Sequence, residues 1–382
     1  MDMRPFIPRT LPGPRPSTRQ EVCLNGEWEF CPIHDETALA SDELMKTPPL
    51  PSSGWGAIRV PSKWKQVWGD EAADAFGYPC EWSKAHRAWY RRTFTAPESR
   101  PGTRLKLQFG GVLVCCEVVV KGQSVGRHLG GVTPFEVDIT DAVRPGAENT
   151  LALYVVNEDA VYINRPRSRY DHTARAPVYY FYSQSSASLW RDVFLLTRPT
   201  VSLDCVAVRT SFRRREIEAD VDVRNEGAAD VAAGIAPTVG SLDGQGVLTL
   251  GSAPADLKAG ASTRVHLQKP WPDAHLWSPE DPHLYRLHTK VSAGNALLDE
   301  QYERFGFREF WIEGQSFYLN GRKLALFGDW VGYTGALKDG CRRRTATGDA
   351  PEDRHRGAPL RGLRVDAGGR WQVDRPRESP EL

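Results

Sequence analysis

Between Leu105 and Val156 the chain is a succession of short runs: Leu105 to Phe109, Val114 to Val120, Ser124 to His128, Phe135 to Ile139 and Thr150 to Val156, with Gly, Pro or Asp between them. Runs of that length, broken by turn formers, build antiparallel strands, and their spacing is that of a sandwich. Helical periodicity is hardly visible, so a mainly β chain is expected. Cys115 and Cys116 are neighbours inside one run. On a strand they face opposite ways, and both are expected to behave as small buried hydrophobes.

The flanking sequence extends this pattern in both directions. Residues 1–20 are rich in Pro and Arg and read as an extended arm, after which Leu24-Asn25-Gly26-Glu27-Trp28-Glu29-Phe30 alternates as a half-buried strand does. Val60-Pro61-Ser62-Lys63-Trp64 and Trp89-Tyr90-Arg91-Arg92-Thr93-Phe94 are the next landmarks. From about Val201 a second set of strands begins, clearest where Ile217, Ala219, Val221 and Val223 alternate with Glu218, Asp220, Asp222 and Arg224. Val247 to Leu250, Thr263 to Leu267 and Leu284 to Val291 continue at the spacing of a small sandwich. Further on, Phe317-Tyr318-Leu319 and Leu324-Ala325-Leu326 flank Asn320-Gly321, two residues that tolerate the positive φ of a tight hairpin turn. Beyond Trp330 the composition shifts to Arg, Gly, Ala, Pro and Asp with almost no apolar run, which cannot bury a core.

Charge and cysteine usage exclude several function classes. Lys and Arg number 49 against 48 Asp and Glu, so no overall field attracts nucleic acid or anionic lipid, and neither is expected as a partner. A neutral partner such as a sugar is compatible with that balance, and the 12 Trp suit either sugar faces or packing between sheets. The seven cysteines, at 23, 31, 80, 115, 116, 205 and 341, include no Cys-x-x-Cys pair, so neither a disulfide framework nor a zinc site follows. The nine His show no metal-ligand spacing, Gly-x-Ser-x-Gly is absent, and no cofactor is implied. The first residues lack the apolar segment of a signal peptide and no run could span a bilayer, so a cytoplasmic location is expected.

Several of these landmarks occur in an order that resembles glycoside hydrolase family 2, the family of β-galactosidases, β-glucuronidases and β-mannosidases. The residues that carry the resemblance are Leu-Asn-Gly-x-Trp-x-Phe from Leu24, Trp-Tyr-Arg-Arg-x-Phe from Trp89, the run from Gln108 to Thr140 with its His-x-Gly-Gly and Pro-Phe, and Leu189-Trp190-Arg191-Asp192-Val193. They continue through Trp277-Ser278-Pro279-Glu280-Asp281-Pro282-His283-Leu284-Tyr285 and Phe305-Gly306-Phe307-Arg308. Two positions depart from the pattern: Lys121-Gly122 stands where Asn-Gly is usual, and Ser188 where Gly is common. The resemblance implies a jelly-roll sugar-binding domain over 21–199, an immunoglobulin-like sandwich over 200–303, and a hairpin over 304–332 as the stub of a truncated (β/α)₈ barrel. Residues 333–382 are left as a disordered tail, for which a disrupted reading frame is one account. Phe317, Leu319, Leu324 and Leu326 of the hairpin are then expected to lack the barrel strands that would enclose them.

Family 2 enzymes are retaining glycosidases, a reaction that needs two carboxyl groups about 5–5.5 Å apart, held by the barrel. The roughly fifty residues after the hairpin compare with about 250 in a (β/α)₈ barrel, so no catalytic residue is carried over and the chain is expected to be inactive alone. Asn157-Glu158 imitates the family's Asn-Glu acid/base pair but lies in the wrong domain. For sugar contact the choice falls on the loop from Tyr170 through Tyr182, with Asp171, His172, Tyr180 and Tyr182 as the candidate residues, whose rings and hydroxyls could stack on and bond a sugar or else pack the sandwich. Arg191 is expected in a structural ion pair. A free-standing carbohydrate-binding or assembly module, and one half of a split glycosidase with a separately encoded barrel as partner, are the alternatives.

Overall fold

A computed structural model of the 382-residue chain describes residues 14–34, 46–64, 78–157 except 99, 114 and 132, 188–326, and the pairs 364–365 and 371–372. The chain divides into two units, Met1–Leu324 and Ala325–Leu382.

The first unit begins with a sandwich built from β1 (Gln20–Cys23), β2 (Gly26–Ile33), β3 (Gly56–Val60), β4 (Arg87–Thr95), β5 (Thr103–Phe109), β6 (Val112–Leu113), β7 (Cys115–Val120), β8 (Gln123–Leu129), β9 (Phe135–Asp138), β10 (Glu148–Val156), β11 (Ser188–Leu189) and β12 (Val193–Pro199). A six-stranded sheet, β3-β2-β4-β10-β7-β8, and a four-stranded one, β1-β12-β5-β9, enclose a common core, with β11 paired to β6 beside them. Strand β10 explains why an unbroken apolar run can sit mid-sheet, because both of its faces are covered. Leu151, Leu153 and Val155 enter the core between the sheets, while Ala152, Tyr154 and Val156 join a second apolar cluster on the other face.

Strand β7 divides its cysteines in the same way: Cys116 lies in the core and Cys115 in the outer cluster, as the alternation requires. Burial pushes the Cys115 thiol up to about 12 and that of Cys116 higher still, so both remain thiols and act as apolar filler. Trp28, Trp64 and Trp89 are fully buried, which assigns these tryptophans to packing. Apart from a short 3₁₀ segment at Cys80–Lys84, the described residues form strands and loops, and no helix among them is long and apolar enough to cross a membrane.

The second sandwich comprises β13 (Val201–Ser211), β14 (Glu216–Asn225), β15 (Val231–Ser241), β16 (Gly246–Thr249), β17 (Ala253–Leu257), β18 (Ser262–Pro270), β19 (Tyr285–Ala293) and β20 (Ala296–Phe305). Sheet β13-β14-β18 covers sheet β16-β15-β19-β20, with β17 also paired to β15. The alternation on β14 is realised: Ile217, Ala219, Val221 and Val223 are buried, and Asp220 and Asp222 on the wet face pair with Arg209 at 2.6 Å and Arg264 at 2.7 Å. The core runs past the expected boundary at 303, since Phe305 ends β20 opposite Tyr285 and Phe307 is buried against Trp271.

Two connections tie the sandwiches together. Lys106 Nζ of β5 meets Glu226 at 2.9 Å. The end of the arm forms a clamp: Thr18 Oγ1 donates to Asp299 Oδ1 at 2.7 Å, and Arg19 Nη2 reaches Asp299 Oδ2 at 2.5 Å and the Leu203 carbonyl at 2.6 Å. Ser17 donates through its backbone N–H and its hydroxyl to Glu300, at 2.7 and 2.6 Å. The last residues of the arm are thus part of the folded unit.

The hairpin has three strands, β21 (Phe310–Glu313), β22 (Ser316–Leu319) and β23 (Arg322–Leu324). Asn320 and Gly321 connect β22 to β23 with φ of 48° and 81°, both in the left-handed region that a two-residue turn of this kind needs. The turn is docked on the second sandwich. Asn320 Nδ2 donates to the Trp277 carbonyl at 2.9 Å, its Oδ1 accepts from the Glu309 N–H at 2.9 Å, and Arg213 pairs with Glu309 at 2.5 Å. Phe317, Leu319 and Leu324 are half-buried, whereas Leu326 is exposed as expected, together with Phe310 and Ile312 of β21. Asn320→Ala removes two hydrogen bonds and puts a residue with no local partner into left-handed backbone, so denaturant unfolding is expected to show a loss of about 2 kcal/mol, while Asn320→Gly recovers the backbone part.

In the second unit, β24 (Arg364–Val365) pairs antiparallel with β25 (Trp371–Gln372). The expected disorder of the remaining tail concerns positions outside the described residues.

Candidate functional site

Asp171, His172, Tyr180 and Tyr182, the residues expected to touch sugar, and Glu158, the imitation acid, all fall in 158–187, outside the described residues. The rim of this segment is described. The chain leaves the first sandwich at Asn157, whose buried backbone N–H donates to the His86 carbonyl at 3.0 Å, and it returns through β11 to Trp190.

At that rim the separate sequence signatures meet. Asn25 of the Leu-Asn-Gly turn donates from Nδ2 to Asp192 Oδ1 at 2.6 Å and accepts the Val193 N–H at 3.0 Å. Gly26 has φ 117°, which leaves the carbonyls of Leu24 and Asn25 free to accept from Arg92 Nη1 at 2.7 and 2.8 Å. Trp28 Nε1 returns to the Leu24 carbonyl at 2.8 Å. The Val-Pro-Ser-Lys-Trp segment joins through the Ser62 N–H, which donates to the Leu189 carbonyl at 3.2 Å, and the buried Tyr90 hydroxyl accepts from the Leu189 N–H at 3.3 Å. Burial pushes the Tyr90 phenol well above its ordinary range, so it stays protonated.

Trp190 is the half-buried part of this rim, packed against the outer apolar cluster. Its Nε1 donates to the Gly131 carbonyl at 2.9 Å, and its ring lies so close to Gly111 that an added Cβ would stand 2.8 Å from Nε1. Arg191 places its guanidinium 4.4 Å over the Trp190 ring, and this stack, rather than the expected ion pair, is its described contact. Next to them His128 stacks on Phe135 at 3.9 Å and Phe135 on Phe109 at 4.9 Å. Burial lowers the His128 pKa, so the ring is neutral at pH 7. Gly111→Val is expected to cost about 1–3 kcal/mol by displacing Trp190. Thermal unfolding measures the cost, and loss of the Trp190 fluorescence contribution, judged against Trp190→Phe, locates it.

The described part of the rim offers shape and aromatic surface. A glycosidase acid needs a carboxyl held protonated near neutrality. The displaced carboxylates among the described residues, Glu29, Asp138, Glu216, Asp220, Asp222, Asp230, Asp243, Glu300 and Glu309, are all displaced downward. Hydrogen bonding to Arg264 does this for Asp222, for example. No group of three or more His, Cys, Asp or Glu side chains among the described residues is placed to hold a metal ion. Sequence reasoning missed the Asn25–Asp192–Val193 junction, although both motifs had been recognised, because their 167-residue separation gives no local sign of contact.

Comparisons with known proteins follow the same division of the chain. Residues 22–199 match the sugar-binding domain of the family 2 glycosyl hydrolases, and residues 201–308 match a second domain of that family. A β-galactosidase of Thermoanaerobacter pseudethanolicus is 28% identical over 270 residues, covering 68% of this chain and 34% of that protein. A β-glucuronidase of Felis catus is 27% identical over 339 residues, covering 82% and 49%. Among solved structures, a β-glucuronidase of Bacteroides uniformis superposes with a TM-score of 0.61 at 24% identity, over 85% of this chain and 37% of its own. A β-galacturonidase of Eisenbergiella tayi, bound to galacturonate, gives 0.59 at 23% identity, over 84% and 48%. These two likenesses establish the fold. The chain spans about a quarter to a half of the length of the curated relatives it matches.

Proposed function

Since the chain belongs to glycoside hydrolase family 2, we propose that it is the non-catalytic N-terminal part of a β-glycosidase, a scaffold that does not turn substrate over by itself. The observation that carries this reading is the extent of the family matches, residues 22–199 and 201–308, which coincide with the two sandwiches. The signature residues around Asn25, Arg92 and Asp192 support it further, because their polar groups are consumed by one another and position the rim of residues 158–187. The names of the relatives point to β-glucuronides or β-galactosides as the substrate class of the complete enzyme. Purified chain is expected to release no aryl alcohol from aryl β-glucuronides or β-galactosides above buffer. Turnover that survives repurification and is abolished by one carboxylate substitution overturns the reading.

A second reading, one half of a split enzyme with a separately made barrel as partner, is favoured by the hairpin. Strand β21 is an edge, and Phe310 and Ile312 on it are 50% and 64% exposed, an apolar strip that invites another strand. Co-purification of a barrel polypeptide that is lost in Ile312→Lys supports this reading, and its retention in that variant removes the hairpin as the docking point.

A further inference from the structure

The outer face of sheet β16-β15-β19-β20 carries an arrangement that the scaffold reading does not use. Two rows of side chains cross it. In one, Gly246 of β16 faces Gly240 of β15, Gly240 faces Arg286 of β19, and Arg286 faces Arg304 of β20. In the next, Thr249, Thr238, His288 and Tyr302 follow the same order. The two glycines leave a cleft of about 700 Å³, whose lining includes Thr238, Ser241, Arg286, His288 and Tyr302.

Arg286 lines one end of this cleft, and the exposed Arg304 stands beside it, outside the lining. Arg286 and Arg304 are direct cross-strand partners, a placement that costs stability when both residues carry the same charge. Arg286 donates to the Leu242 carbonyl at 3.2 Å, and among the described residues neither guanidinium has a carboxylate partner. The acids nearby are committed elsewhere. Glu300 accepts from His288 at 2.7 Å and from Ser17, and Asp243 on the turn accepts from Ser241. The rest of the lining supplies hydroxyl oxygens from Thr238, Ser241, Thr249 and Tyr302, of which Thr238 donates to the His288 carbonyl at 3.3 Å and Tyr302 to Glu300 at 3.4 Å, and a flat plate where His288 stacks on Tyr302 at 4.2 Å and 17°.

We propose that this cleft binds an acidic sugar chain, with a carboxylate of a hexuronate unit held at its edge by the Arg286 guanidinium and the neighbouring Arg304, and its ring hydroxyls bonded by the threonine, serine and tyrosine side chains. A guanidinium pair supplies fork geometry for a carboxylate. The hydroxyl-bearing rows supply donors and acceptors for a polyol, and the volume lies in the range of small-ligand clefts. The site sits on the second sandwich, away from the 158–187 rim, and is independent of the scaffold reading.

Titration calorimetry of the full chain with an oligomer of galacturonate, with the same oligomer carboxyl-reduced to galactose, and with inorganic sulfate tests it. The expected result is saturable binding of the acidic oligomer, and weaker or no binding of the reduced oligomer and of sulfate. Arg286→Ala is expected to weaken the acidic oligomer by about tenfold or more. Gly246→Leu should abolish binding while the melting temperature is kept, because a Cβ added at Gly246 meets nothing within 4 Å and the cleft alone is filled. Absence of saturable binding, equal binding of the reduced oligomer, sulfate binding as tight as the oligomer, or indifference to both substitutions overturns the assignment.

Discussion

Replacing Asp299 with Ala is expected to cost about 3–5 kcal/mol, because it leaves the Arg19 guanidinium, only 13% exposed, without its partner. The Asp299 side chain is fully buried and receives Thr18 Oγ1, two nitrogens of Arg19 and the Leu203 N–H, the last at 2.7 Å. No water can replace so many donors at a closed site, so the Leu203 N–H is orphaned as well. Denaturant unfolding should show the loss, and limited proteolysis should show the arm cut beyond Arg19 in the variant while Ser17 to Arg19 stay protected in the parent chain. The neighbouring Glu300 adds an acid dependence. Burial pushes its carboxyl up, but bonds from Ser17 and His288 outweigh this and hold it at about 2. A carboxylate lowered in the folded state stabilises above its ordinary range near 4.5, and that stabilisation is lost as pH falls from there toward 2. Arm release on acidification in this window is the expected result; an arm equally protected at pH 2 contradicts it.

Phe307→Ala is expected to cost a further 3–5 kcal/mol or about that, in the second sandwich. Phe307 is 2% exposed, meets the Trp271 ring edge to face at 5.3 Å, and takes the Trp277 N–H on its carbonyl at 2.9 Å. Ending the chain after Glu303 removes Phe307 together with Phe305, so the shortened protein should melt lower and aggregate more. The sequence alone suggests the opposite, that cutting there frees two intact sandwiches from an apolar hairpin. The difference arises because Phe305-Gly306-Phe307 belongs to the sandwich core rather than to the hairpin. Gly306 marks the closeness of that packing, with an added Cβ 2.8 Å from the Trp277 side chain. Solubility should instead improve with Ile312→Lys, which changes an exposed position. A shortened chain that melts as high as the parent, measured by calorimetry, rules out this account of the boundary.

What the sequence disclosed was local. Alternation placed Ile217 to Val223 on the buried face of β14, and adjacency alone sent Cys115 and Cys116 into different clusters. Asn320-Gly321 announced its turn through residue types that accept positive φ. The third strand of the hairpin, Phe310–Glu313, was missed because its apolar run is short and has no period, although Gly314, at φ 58°, signals the turn into β22. The arm clamp was illegible for a different reason. Ser17, Thr18 and Arg19 look like any polar terminus, and their partners Asp299 and Glu300 lie about 280 residues on. The Arg286 and Arg304 pair was hidden likewise, since only strand register makes the two residues neighbours. For the sugar-contact residues at 171–182 the sequence remains the sole source.

As proposed above, this chain carries a family 2 scaffold without the family's nucleophile. Retaining glycosidases pass through a covalent glycosyl-enzyme, so a 2-deoxy-2-fluoro glycosyl fluoride of the glucuronide or galactoside series traps the nucleophile as a stable ester. Intact-mass measurement of the purified chain after incubation with such a reagent is the most direct test. The account predicts an unchanged mass, alongside a full-length family 2 enzyme that gains one glycosyl group under the same conditions. A stoichiometric adduct that maps to a single Asp or Glu of this chain would contradict it.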